Sequence, residues 1–189
     1  SFRLLDDVDA FKRSFKEASL KTSSIASEFI QVKHLSFLEE EVESRGTFHF
    51  QRENQLRWEY LEPFGYLIVI KGDSALIQSE NSKQVYGAES GRMIREINDI
   101  MIGLVSGSIL ESKDFDFEYY ENDGGYKLAL TPHDGNMKEF ISGIDIFINK
   151  DDLSVDELFM DESSGDFTRI RFINKELNAE IPGHIFDIP

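Results

Sequence analysis

The feature that most constrains the fold is a long alternation of apolar and polar side chains over residues 47–60. Its even-numbered positions include Phe48, Phe50, Leu56, Trp58 and Tyr60. Successive side chains of a β-strand point to opposite faces, so this pattern predicts strands with one buried and one solvated face. Arg52 is in phase with the apolar residues, on the face that a core would occupy.

Short turn signals separate further strand patterns along most of the chain. They lie at residues 53–55, 63–65, 71–73, 80–82, 122–125, 150–152 and 163–166. Connections this short join only antiparallel neighbours. Other predicted strands cover residues 23–33 and 138–149, the second with Phe140 in phase with Ile144 and Ile146. Roughly ten or more short strands are therefore expected, in up-and-down order.

Two segments carry the three- and four-residue spacing of amphipathic helices. The first has Leu4, Leu5, Val8, Phe11, Phe15 and Ala18 on one side, and the second has Met93, Ile97, Ile100, Met101, Leu104 and Val105. Two helices are too few to cover one face of so long a sheet, which must curl or close. We therefore expect one domain over residues 1–189 that is mainly β, with a sheet that either closes as a barrel or curves around a cavity.

Composition and charge narrow the class of function. The chain carries 36 Asp and Glu against 20 Lys and Arg, a formal net charge of -16, which disfavours nucleic acid and anionic lipid surfaces. There is no Cys, and the four His residues show no metal-ligand spacing. Phosphate-binding glycine motifs and a serine nucleophile elbow are also missing. We expect no metal, no cofactor and no enzyme activity.

Several motifs resemble the periplasmic outer-membrane lipoprotein carriers, the LolA-like family. The main one is Gly46, Thr47, Phe48, Phe50, Arg52, Asn54, Leu56 and Trp58, followed by Pro63. Weaker matches are Ser23, Ser24, Ile25, Ser27, Phe29 and Gln31; Val69 and Gly72; residues 126–132; Met137, Lys138 and Phe140; Phe172 and Asn174; Phe186 and Pro189. Glu53 departs from the family, which usually has Pro there. The resemblance covers nearly the whole chain.

The resemblance implies a curved antiparallel meander forming an unclosed half-barrel, with helices covering an apolar cavity. The cargo would be the acyl chains of lipoproteins, taken from an inner-membrane ABC-type release complex and passed to an outer-membrane acceptor. The protein would be a periplasmic monomer with its signal peptide removed. The expected lipid-binding residues are Phe29, Phe48, Phe50, Leu56, Trp58, Tyr60, Met93, Ile97, Met101, Phe115, Phe117, Tyr119, Leu128 and Phe140.

The resemblance also implies a role for Arg52. A buried guanidinium is tolerable when it donates to several carbonyls, and here it would donate to backbone carbonyls of a lid helix in the empty state. Entering acyl chains would displace the lid and break those bonds. The alternative is that Arg52 extends to the rim or turns outward at the Glu53-Asn54 corner.

Two other functional interpretations remain open at the level of sequence. One is a related half-barrel module that acts as an outer-membrane acceptor or as an envelope sensor binding lipoprotein. The other is a β-sheet enzyme acting on a lipid or a glycan.

Overall fold

The computed structural model describes residues 1–87, 92–133 and 135–189, with only the backbone for residues 92–98. The described strands are β1 (Arg3–Leu4), β2 (Ser24–Leu35), β3 (Glu40–Gln51), β4 (Gln55–Glu62), β5 (Tyr66–Lys71), β6 (Ser74–Ser79), β7 (Lys83–Tyr86), β8 (Phe115–Glu121), β9 (Gly125–Pro132), β10 (Ile141–Asn149), β11 (Val155–Glu162) and β12 (Phe167–Leu177). The α-helices are α1 (Val8–Leu20), α2 (Arg92–Ser106) and the single turn α3 (Gly135–Lys138). Short 3₁₀ turns occupy Ser108–Glu111 and Gly183–Phe186.

The twelve described strands form one antiparallel sheet with β1 and β7 at its two ends. The order is β1-β8-β9-β10-β11-β12-β2-β3-β4-β5-β6-β7, so it contains two meanders, β2–β7 and β8–β12. They meet where β12 pairs with β2, in a register that places Phe172 opposite Phe29. The sheet is not closed into a barrel, and the predicted open, curved, mainly β architecture is confirmed.

The main core lies between the two long helices and one face of the sheet. Phe11 and Phe15 of α1 and Leu104 of α2 are buried against strand residues such as Phe48 and Leu128. The even-numbered apolar side chains of β3 and β4, which the sequence pattern placed on one face, therefore face the helices.

A smaller core lies on the opposite face of the sheet. Phe186, fully buried in the last 3₁₀ turn, packs with Val69 and Leu76 of β5 and β6. Arg57 Nη1 donates to the carbonyl of Ile185 at 2.9 Å, which ties this C-terminal segment to β4. The outer face of β4–β6 is covered in this way.

The N-terminal helix begins later than the sequence pattern predicts. Asp7 is its N-cap, and its Oδ1 accepts a hydrogen bond from the amide of Ala10 at 3.0 Å. Leu4 was predicted to lie on the buried side of this helix. It instead belongs to β1, where it pairs with Tyr120 of β8 and is 67% exposed. The cap therefore decides where the helix starts.

The strand predicted over residues 138–149 also begins later, at Ile141. The chain first makes the helical turn α3, and the amide of Phe140 donates to the carbonyl of Met137 at 3.0 Å. Phe140 is consequently outside the strand and 56% exposed. The prediction that it lines the concave face is wrong, because a local turn takes the amide that the ladder would have used.

Candidate functional site

An apolar cavity lies between the C-terminal ends of α1 and α2 and the centre of the sheet, where β12, β2 and β3 are neighbours. Its walls are formed by Phe15, Ala18, Ser19, Thr22, Ile25, Ser27, Phe48, Met101, Leu104, Val105, Asp152, Leu153, Ser154, Val155, Leu158, Phe172, Lys175 and Leu177. Most of these side chains are hydrocarbon. The cavity thus offers an apolar environment beneath two helices.

The cavity is small. Its volume of about 50 Å³ has room for on the order of three or four water molecules. Ordinary ligand pockets measure about 300–1,000 Å³. The expected apolar cavity is present, but the helices fill more of it than the sequence analysis expected. A larger apolar molecule fits only if part of the cavity wall moves.

The structure distributes the predicted cavity residues over a larger core. Phe48 and Met101 line the cavity itself. Phe29, Phe50, Leu56, Phe115, Tyr119 and Leu128 are buried in the surrounding core, and Trp58, Tyr60 and Phe117 pack against it partly exposed. The side chains of Met93 and Ile97 lie outside the described residues, and Phe140 is on the surface.

Aromatic rings form the part of the concave face beside the cavity. The ring of Trp58 lies 4.8 Å from that of Phe29 and 5.1 Å from that of Phe48, centre to centre. Phe172, from the other meander, lies 5.5 Å from Phe48. Burial raises the pKa of Tyr60 to about 12, and its hydroxyl donates to Gln31 Oε1 at 2.7 Å. The rings join the two meanders across the β12–β2 junction.

Arg52 makes the contacts expected of it with a helix over the cavity. Its Nε donates to the carbonyl of Thr22 at 2.8 Å, and its Nη2 donates to the carbonyl of Ser19 at 2.5 Å. Both acceptors lie at the C-terminal end of α1, where carbonyls lack helical partners and the helix dipole favours a cation. The last turn of α1 has no basic residue of its own. Arg52 therefore ties the β3–β4 hairpin to α1 at the edge of the cavity.

A second polar contact closes the other side of the cavity, and sequence reasoning missed it. Lys175 Nζ donates to Ser154 Oγ at 2.5 Å, to the carbonyl of Val155 at 3.2 Å and to Asp156 Oδ1 at 2.5 Å. Its side chain is only 14% exposed. These bonds hold the β10–β11 turn, whose Leu153 lines the cavity.

A bulge in β12 explains why a lysine faces this apolar space. The register with β2 shifts between Ile173 and Glu176, and Asn174 has a left-handed φ of 52°. A bulge re-aims the side chains that follow it, so that Lys175 and Leu177 line the cavity. The bulge reverses the simple alternation set by Ile170 and Phe172, so a strict period of two does not predict that Lys175 and Leu177 face the cavity.

Metal sites and membrane spans can be considered only for the part of the chain that the structure describes. No group of three or more His, Asp or Glu side chains there is arranged to hold a metal ion. None of the helices there has the length and apolar character needed to cross a bilayer.

Comparisons with known proteins agree with this architecture. The sequence model of the family described as "Outer membrane lipoprotein carrier protein LolA" matches residues 20–189. An outer-membrane lipoprotein carrier protein of Dechloromonas aromatica is 29% identical over 147 residues, which are 76% of this chain and 66% of the relative. One from Methylococcus capsulatus is 25% identical over 166 residues, 86% of this chain and 76% of that protein. The aligned region is thus about two thirds of the Dechloromonas protein and more of the other.

Solved structures share the fold at low sequence identity. An uncharacterized conserved protein from Thermus thermophilus gives a TM-score of 0.57 at 12% identity and covers 97% of this chain and 95% of its own. The Pseudomonas aeruginosa MucA/MucB complex gives 0.55 at 14% identity, over 95% of this chain and 60% of the matched one. These identities support the fold alone.

An open, curved antiparallel sheet with helices over an apolar cavity defines the class: a half-barrel of the lipoprotein-carrier type. The match of the family model over residues 20–189 identifies the family. The chain belongs to the LolA family of outer membrane lipoprotein carrier proteins.

Proposed function

We propose that this protein is a periplasmic carrier that binds the acyl chains of lipoproteins between its helices and the concave face of its sheet. It would receive lipoproteins from an inner-membrane ABC-type release complex and pass them to an outer-membrane acceptor. The observation that carries the proposal is Arg52, bonded to α1 at the edge of an apolar cavity. Carriage of this kind needs no covalent step.

The energetics suit reversible carriage. Each buried methylene contributes roughly 0.8 kcal/mol, so one sixteen-carbon chain contributes on the order of 10 kcal/mol. A preformed site for several chains would hold cargo too tightly to release. In this protein the acyl chain must first break the bonds of Arg52 to Ser19 and Thr22 and unpack α1, and that cost lowers the net affinity.

Arg52→Leu tests the proposal. The substitution removes hydrogen bonds to a charged group that are worth about 1.5–3 kcal/mol each, and so destabilises the closed state relative to the open one. We expect the affinity for a fluorescent acylated peptide to rise about tenfold or more, with slower transfer to an acceptor. Fluorescence titration and stopped-flow release measure the two effects.

Arg45→Leu is the matched control. Arg45 lies on β3, the strand that leads into the turn with Arg52, but it is exposed and pairs with Glu43 at 2.9 Å, away from the α1 carbonyls. Its variant should bind and release the peptide as the parent protein does. Equal affinity of the Arg52→Leu variant and the parent, or faster transfer by that variant, would contradict the gating role. No acyl binding by any of the three proteins would contradict the carrier function itself.

A further inference from the structure

The β2–β3 hairpin presents large apolar side chains to solvent at its tip. Phe37 is 92% exposed and Leu38 is 55% exposed. Exposed side chains of this size are costly on a free surface, and they commonly mark interaction sites when they lie together. Neither residue belongs to the cavity or to either core.

The hairpin also extends past the neighbouring strand. β4 pairs with β3 only from Arg45 onward, opposite Glu62. Among the described residues, Glu40–Ser44 therefore has β2 on one side and no strand on the other. On the other side β12 pairs with β2 as far as His34, so only the turn after Leu35 extends past both neighbouring strands; this end of the hairpin is called the finger.

The base of this finger is held firmly. The amide and the hydroxyl of Ser36 both donate to Asp166 Oδ1 at 2.8 Å, and these bonds lower the pKa of Asp166 below its usual range. Lys33 pairs with Glu162 at 3.1 Å, and the ring of His34 stacks on Phe167 at 4.9 Å. A preorganised apolar tip binds with a smaller entropy cost than a loose loop.

The charges around the tip indicate which kind of surface it can bind. Glu39, Glu40, Glu41 and Glu43 follow Phe37 and Leu38 directly and are all exposed. With the net charge of -16, they oppose an anionic membrane surface. They complement a protein surface that carries Lys and Arg.

We propose that the tip of the β2–β3 hairpin is a protein-docking element. It inserts Phe37 and Leu38 into an apolar pocket of a partner protein, and the glutamates pair with a ring of basic side chains around that pocket. Apolar anchors at the centre with charges at the rim are the usual anatomy of a specific interface. This docking does not use the cavity and is independent of the cargo.

The test places the photoreactive amino acid p-benzoylphenylalanine at position 37 of the full chain in living cells. We expect a protein adduct whose cross-linked peptide maps to an apolar surface flanked by Lys and Arg. The same label in the Glu40→Lys, Glu41→Lys double variant should lose that adduct, because the rim charges are reversed. The label at Leu4, exposed but on the distant strand β1, is the control and should not give this adduct.

Flotation with vesicles of phosphatidylethanolamine and phosphatidylglycerol tests the alternative that the tip inserts into a membrane and not into a protein pocket. We expect no flotation. Phe37-dependent flotation, or lipid adducts in place of protein ones, would overturn the proposal in favour of membrane insertion. Adducts no different from those at Leu4, or an adduct that survives charge reversal, would overturn it as well. Unlabelled Phe37→Ser protein should still bind the acylated peptide, so that a failed docking test leaves the carrier function standing.

Discussion

Gly46 lies where the backbone of β4 leaves no room for a side chain on β3. A Cβ built at this position would come within 1.8 Å of the carbonyl oxygen of Glu59 and 2.9 Å of the ring of Phe29. The ladder between the two strands also shifts register between Arg45 and Gly46. The position therefore admits no side chain, and Phe29 can pack over the glycine instead.

Gly46→Ala should be strongly destabilising for that reason. Overpacking of a core position costs about 1–3 kcal/mol, and a clash with backbone cannot be relieved by a rotamer change. We expect a loss of at least about 2 kcal/mol in the free energy of unfolding, measured by urea denaturation. Gly65→Ala is the control, because a Cβ there meets nothing within 4 Å. Equal urea midpoints for the two variants would show that β3 and β4 can move apart at Gly46 with little loss of stability.

Two polar contacts at the edges of the cavity hold different parts of the chain. Arg52 reaches from the β3–β4 hairpin to the end of α1, and Lys175 reaches from β12 to the β10–β11 turn. Leu153, with a left-handed φ of 57°, lies in that turn and lines the cavity. The turn is thus a second segment that can open without unpairing the sheet.

Lys175→Met should loosen this turn while keeping most of the apolar volume of the side chain. We expect faster uptake of the fluorescent acylated peptide and little change in thermal stability, because the loss of the ion pair with Asp156 is partly offset by removing a mostly buried charge. Stopped-flow fluorescence measures the uptake rate. Lys127→Met is the control, because Lys127 pairs with Asp145 at 3.8 Å and does not line the cavity. Equal uptake rates in both variants would assign Lys175 a purely structural role.

The sequence predicted the elements better than it predicted the site. Period-two and helical patterns located most strands and both long helices, because each has one continuous apolar face. The family resemblance supplied Arg52 and its bonding to a helix. The cavity wall formed by Val155, Leu158 and Lys175 was missed, because it depends on a bulge and on strand pairing remote in sequence. Phe140 was misplaced because the turn α3 interrupts an apolar alternation that continues through it.

The whole molecule carries a large excess of negative charge. A formal charge of -16 on 189 residues makes the folded state repel itself, and the exposed carboxylates of the β2–β3 finger add to this. The cavity contacts, by contrast, are short and partly buried, and salt screens such pairs less. Added salt should therefore weaken the repulsion among the surface carboxylates more than it weakens the contacts of Arg52 and Lys175 at the cavity.

Raising NaCl from about 20 mM to about 0.5 M at pH 7 should stabilise the protein, because it shortens the screening length from tens of ångströms to a few. We expect the thermal midpoint to rise by roughly 2–5 °C, measured by circular dichroism. The same series near the isoelectric point of about 4.6 is the control and should show little or no rise. A rise of the same size at both pH values would mean that charge repulsion is not the cause.

The junction of β12 with β2 has a consequence for how the chain is made. A nascent polypeptide delivers β2 early and β12 near its end, and at about 5–20 residues per second the interval is on the order of ten seconds. During that time the apolar face of the first meander, β2–β7, lacks the second meander, β8–β12, that completes the sheet. The apolar cavity is consequently a property of the finished chain alone, and a truncated product would instead expose the apolar faces of unpaired strands.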